Sequence, residues 1–185
     1  MQKSTARWIL LGLLGHEAFH AAWRWKIRKD LFAKAERRAK ELGRPLVVIG
    51  APTTGLVTRV GPQAYGCGDV CVDLVGCAGC PRSIVADITQ PVPLDDDSAV
   101  VFCSCVLEYV SNPELAKREI LRIAGDLANV YVAGVGTRTL TAYLYPGAMN
   151  VVRTTDHRDF TVEPLPWVGK VAVNVGLSYL AVKAW

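Results

Sequence analysis

The stretch "SAVVFCSCVLEYVSNPELAKREILRIAGDLANVYVAGV", Ser98 to Val135, decides how the chain folds. It opens on an apolar run rich in β-branched residues, and a run of roughly 4–8 such residues reads as a strand buried on both faces. A helix follows, from about Asn112 to Gly125. Asn112 can cap the free N–H groups of its first turn, Pro113 suits a position where no N–H is needed, and Glu114 favours the positive end of the helix dipole. "NVYVAGV", ending at Val135, is then another buried strand. Two earlier runs have the same character, "PLVVIG" (Pro45 to Gly50) and "GDVCVDLVG" (Gly68 to Gly76). Before them, "KIRKDLFAKAERRAKEL" (Lys26 to Leu42) predicts a charged helix with Ile27, Leu31, Ala35 and Leu42 on its apolar side, stopped by Gly43 with Pro45 just beyond. The tail runs "RDFTVEPLP" (Arg158 to Pro166) and "VAVNVGLSYLAVKA" (Val171 to Ala184) read as two further strands, paired antiparallel. Strands alternating with helices and closing on such a pair argue for a three-layer α/β sheet.

The composition narrows the functional classes. With 185 residues, 51% of them hydrophobic and 21% charged, the chain has the material for one well-cored domain and a small appendage, and it is no disordered segment. A net charge of +4 and a pI near 8.8 are too mild for a dedicated nucleic-acid binder. Six cysteines are too few for a disulfide scaffold, which makes a reducing compartment the default expectation.

The block from Ala86 to Val135, with "PVPLDDDSAVVFCSCVLEYV" at its centre, resembles the class I methyltransferases that use S-adenosylmethionine. It is closest to the type 11-like group, in which a D-x-x-x-L-P-[FL]-x-D-x-S-F-D-x-V strand precedes V-L-E-H-V. Tyr109 stands here in place of that histidine. The resemblance covers Leu46 to Gly134, and the flanks by order of elements. It implies a shortened three-layer Rossmann-like sandwich with the cofactor at the carboxyl ends of the strands.

Carried over residue by residue, it places S-adenosylmethionine against Gly50 and Gly55 of the first turn, "VVIGAPTTG". Asp73 would take the ribose hydroxyls, Asp87 the adenine amino group, and Ser104, between Cys103 and Cys105, would lie at the end of the fourth strand. The turn departs from the family pattern: Val48 stands where an acid is expected, and Pro52, which lacks an N–H, where a glycine is expected. No catalytic base is implied, because the sulfonium is already activated and the protein's work is alignment. Glu108 and Tyr109 are the nearby candidates, and packing is the favoured role for each. The departures favour an alternative: a methyltransferase fold without catalysis, kept as a structural, membrane-attached or complex-anchoring subunit.

Ahead of this domain (residues 26–185) lies an apolar helix (residues 1–25). "WILLGLLGHEAFHAAWRW", Trp8 to Trp25, is bracketed by tryptophans and followed by Lys26, Arg28 and Lys29, which suggests a membrane interface or a partner-packing surface through residues 8–25. Its apolar run of about 16 residues gives roughly 24 Å of helix, short for a span, and no cleavage site for a signal peptide follows it. The cationic flank places the main domain on the cytoplasmic side of a membrane, with a plainly cytoplasmic protein as the alternative. Within this stretch His16, Glu17 and His20 form H-E-x-x-H, the spacing of a zinc protease site. A third ligand would have to come from His157 or a distant carboxylate, and Gly12, His16, His20 and Arg24 read more simply as a polar stripe.

The remaining anomaly is "CGDVCVDLVGCAGC", Cys67 to Cys80. Its C-x-x-C half-site allows a structural zinc on Cys67, Cys77 and Cys80, but with Cys71 inside a strand, free thiols of core and loop are the expectation.

Overall fold

The computed structural model describes residues 3–53, 62–134, 140–144, 147–156 and 159–184. Helix α1 (Lys3–Leu42) is followed by strands β1 (Leu46–Ile49), β2 (Val70–Asp73), β3 (Ser83–Val85) and β4 (Val100–Ser104), then by α2 (Pro113–Ala124) and β5 (Val130–Ala133). A short helix α3 (Thr141–Leu144), strands β6 (Asn150–Asp156) and β7 (Asp159–Pro164) and helix α4 (Trp167–Ala184) complete the chain. The first five strands form one parallel sheet in the order β3-β2-β1-β4-β5. The pair β6-β7 is antiparallel and forms a sheet of its own.

Every residue of β1, β4 and β5 is buried, and the two-residue period of the strand sorts them into two cores. Val47, Ile49, Val70, Val72, Val101, Cys103, Val130 and Val132 meet α2 through Ala116, Ile120, Ile123 and Ala124. Leu46, Val48, Cys71, Val100, Phe102, Tyr131 and Ala133 meet α1 through Ala35 and Ala39, with Leu31 and Phe32 at the margin. Helix, sheet and helix thus make the three layers, and the continuous apolar runs exist because both faces of each strand are covered.

The α2 caps follow the sequence reading. The Asn112 side chain accepts from Leu115 N, Pro113 occupies the first turn, and Gly125 closes the helix at φ +69°. An adjoining ion-pair network fixes the segment before β4. Arg122 donates to Glu119 and Asp96 and to the carbonyls of Leu94 and Val92, while Glu119 accepts from Val92 N at 2.7 Å.

The apolar stretch and the charged helix on either side of residue 25 form a single helix of 40 residues. Its last third lies on the sheet, and its first half packs on α4, where Arg7 Nε donates to the terminal carbonyl of Ala184 at 2.9 Å. No helix among the described residues is long and apolar enough to cross a membrane.

Three expectations are corrected. Residues 171–184 lie in α4, not in a strand. The run lacks strict alternation, exceeds the roughly 4–8 residues of a strand, and contains Ala172, Leu177, Leu180 and Ala181, all good helix formers. The antiparallel partner of β7 is β6 instead, which precedes it directly. Strand β3, only three residues long, follows a turn-rich segment and carries no periodic signal. Finally, the cysteines expected as free thiols are paired, Cys67 with Cys80 and Cys71 with Cys77. Cys71 faces the α1 side of the sheet, and the loop after β2 folds back over that face, a return path that spacing along the chain does not reveal.

Candidate functional site

Beyond the carboxyl ends of β1, β2 and β4 lies a cavity of about 410 Å³, within the range of roughly 300–1,000 Å³ usual for small-molecule sites. It sits where the strand order reverses between β1 and β4, the place at which open parallel sheets bind ligands. Ile49 and Val72, the ends of two buried strands, contribute an apolar base. Asp73, Asp87 and Thr89 line one part of it, and Cys105, Val106 and Tyr109 another.

Asp73 and Asp87 therefore share one cavity. Asp73, half-buried at the end of β2, accepts from Ala51 N through Oδ2 at 2.9 Å and from Val75 N through Oδ1 at 3.0 Å. Each oxygen retains a second lone pair for a ligand. Asp87 Oδ1 accepts both the backbone N–H and the hydroxyl of Thr89, at 2.9 and 2.8 Å, which fixes the carboxylate at the start of its own turn.

Gly50 adjoins the cavity at φ +96°, where a Cβ would stand 2.6 Å from Ser104 O and 2.7 Å from Val106 Cγ2. Its lack of a side chain lets the β4 end close on β1. Ser104 is buried at the end of β4 and does not line the cavity. Gly55 lies outside the described residues. Pro52 is buried in the turn after β1.

Among the described residues no Lys, Arg or His lines this cavity, while two carboxylates do. Hydroxyl and amino donors, or a cation, find acceptors in those two carboxylates. The neighbouring thiols are poor nucleophiles. Burial above all, and then the nearby Glu108 charge, push the Cys103 and Cys105 thiols up, although Arg28 opposes this at Cys105. Cys105, in the left-handed region at φ +56°, accepts from Arg28 Nη2 at 2.7 Å, a contact that ties α1 to the end of β4.

Sequence reasoning missed Met149, which lines the cavity from just before β6. Its N–H donates to Glu108 O at 2.7 Å, and the buried Asn150 amide donates to Leu107 O and Val110 O. These bonds hold the segment after β4 from a point some 40 residues along the chain, and no local pattern announces them. Tyr109, in the histidine position of the resembled pattern, does line the cavity.

The H-E-x-x-H stretch has a different use. Glu17 accepts from Leu140 N at 2.9 Å and sits 3.3 Å from His16 Nδ1, docking the start of α3 on α1. The rings of His16 and His20 pack 4.4 Å apart. Among the described residues no third metal-ligating group joins them; His157 lies outside the described residues.

Searches against protein-family models, curated proteins and solved structures give no match to this chain.

Proposed function

We propose that the protein is an S-adenosylmethionine-dependent methyltransferase acting at a membrane surface. One observation carries the reading: at the switch point of a parallel sheet, a cavity lined by two carboxylates, Asp73 and Asp87. The cofactor supplies a positively charged sulfonium whose methyl group is already activated. Asp73 would accept from the ribose hydroxyls with its remaining lone pairs, and Asp87 from the adenine amino group. Ile49, Val72 and Ile88 would hold the adenine ring, and Tyr109 and Met149 would shield the site from water. Both free thiols nearby are held neutral, in keeping with a protein that aligns its reactants and attacks neither.

A second reading, a methyltransferase fold retained as an anchoring subunit, is favoured by Pro52 in the first turn and by the two backbone N–H groups already bonded to Asp73. Calorimetric titration with S-adenosylmethionine and with its demethylated product separates the two. The catalytic reading expects saturable heat that weakens at least tenfold in Asp73→Asn, which keeps the side-chain shape. No heat at millimolar ligand leaves the anchoring reading.

The membrane assignment rests on the pair α1 and α4. Trp8, Leu11, Leu14, Phe19 and Trp23 on one helix and Trp167, Val171, Val175 and Val182 on the other are exposed, Trp8 and Trp167 each at 73%. So much adjoining apolar surface is normally covered. Lys3, Arg7 and Lys183 gather at one end of the pair, and the tryptophans suit a headgroup boundary. This composition fits an in-plane helix pair on an anionic leaflet, with the α/β domain on the cytoplasmic side. Co-sedimentation with anionic vesicles should fall severalfold when Trp8 and Trp167 are both changed to serine. Unchanged sedimentation sinks the membrane assignment.

A further inference from the structure

Among the described residues, the sulfurs of Cys71, Cys77 and Cys80 form the one group of three metal-ligating atoms, all within 4.8 Å of one another. Cys67 is bonded to Cys80, which brings a fourth sulfur beside this group, although not within the same 4.8 Å of all three. We propose that, when both disulfides are reduced, these four cysteines hold a single Zn²⁺ as a structural tetrathiolate site.

The geometry and the chemistry point the same way. In a tetrahedral zinc–thiolate site with bonds of roughly 2.3 Å, the sulfurs stand roughly 3.8 Å apart, so small rotations suffice for Cys71, Cys77 and Cys80 once opened, and Cys67 must swing in from beside Cys80. Sulfurs this close suit one ion better than a cluster of several irons, whose cysteines are spread over more than one metal atom. Cys77 to Cys80 already form a tight turn, with Cys80 N donating to Cys77 O at 3.1 Å and Gly79 at φ +81° with nothing within 4 Å of a Cβ position. Ser83 Oγ accepts from Cys77 N at 2.8 Å and holds that turn against β3. Phe32, Tyr65 and Ala35 shield the cluster on the α1 side.

The position also gives the site a purpose. Nine residues, 74–82, connect β2 to β3, and they contain no helix. Cross-linked sulfurs help cover the sheet there, with Cys71 in the same strand as Asp73. In a reducing compartment disulfides open, and this corner would lose its brace unless a metal replaced them. Each disulfide takes two electrons and two protons from a dithiol reductant, which leaves as its own disulfide. The resulting thiols give up their protons as they bind Zn²⁺. This inference stands apart from the cofactor reading, since it concerns other atoms.

The test uses the full chain, expressed with zinc present and purified under a phosphine reductant. Elemental mass spectrometry should find one zinc per chain in the parent and less than a tenth of that in Cys77→Ser/Cys80→Ser. Replacing zinc by Co²⁺ in the parent should give the visible bands of tetrahedral cobalt with sulfur-to-metal charge transfer. A reduced parent chain without zinc overturns the proposal. So does zinc retained by the double variant. If that variant fails to fold, the parent's cobalt spectrum decides alone: without thiolate charge transfer the proposal falls.

Discussion

Glu119 and Arg122 show how much one pair of side chains can organise. Glu119 is a nearly enclosed acid with one side-chain oxygen on Val92 N, and Arg122 gathers Asp96 and two carbonyls around it. Arg122 foremost holds the Glu119 carboxyl below its ordinary value of 4.5. A depressed acid stabilises the fold above its unfolded pKa, and that contribution disappears as pH falls through the lower folded value. The stability advantage of the parent over Glu119→Gln should therefore be full at neutral pH and shrink as pH falls below about 4.5, read by urea titration at several pH values. Arg122→Ala strands the acid and should cost about 2–3 kcal/mol at neutral pH; a loss below about 0.5 kcal/mol would contradict this network.

Gly50 is the other decisive single position. Its left-handed φ and the carbonyl 2.6 Å from any added Cβ leave no room for alanine. Gly50→Ala should lower stability by about 2–3 kcal/mol, with loss of any ligand heat, and a melting temperature equal to the parent's would refute the packing account. The glycine was singled out in the sequence as part of the turn after the first strand. Its reason was not legible there, because the atoms that forbid a side chain come from the end of β4, more than 50 residues away.

Among the elements, α2 was the most legible. Its cap, its proline and its closing glycine are all local signals, and they hold in the fold. The strands β1, β2, β4 and β5 were visible for a related reason, since burial on both faces leaves only apolar residues. α4 was misread because an apolar run without clear period is ambiguous between strand and helix until its partner is known. That partner is α1, and the pairing decides the result of cutting the chain. Removing residues 1–25 strips α4 of the helix that packs on it and deletes Glu17, the anchor of Leu140. The truncated chain should aggregate or lose cooperative melting, whereas the double variant His16→Ala/His20→Ala should melt within about 1 °C of the parent. A soluble truncated chain with unchanged melting would show that α4 stands without α1.

In the assembled fold, the cavity draws on strand ends, the turn after β3, the segment after β4 and the approach to β6 at once. Asp73 could be placed beforehand because it ends a legible strand, and the strand ends of a parallel sheet converge on one edge; Asp87 was singled out only by the methyltransferase resemblance, since β3 before it carries no local signal. Met149, Asn150 and the Arg28–Cys105 contact could not be read in advance, as each joins segments whose closeness is decided only when the layers pack. The cysteines draw the same line. Their number and spacing are written in the chain, and so is the suitability of C-x-x-C for metal. Which sulfur meets which depends on the loop from 74 to 82 folding back across the α1 side of β2. Local patterns of hydrophobicity and capping thus specify the buried strands and α2, since those patterns act over a few residues. The cavity, the helix pair α1–α4 and the sulfur cluster arise from contacts between distant segments, which only packing of the three layers brings together.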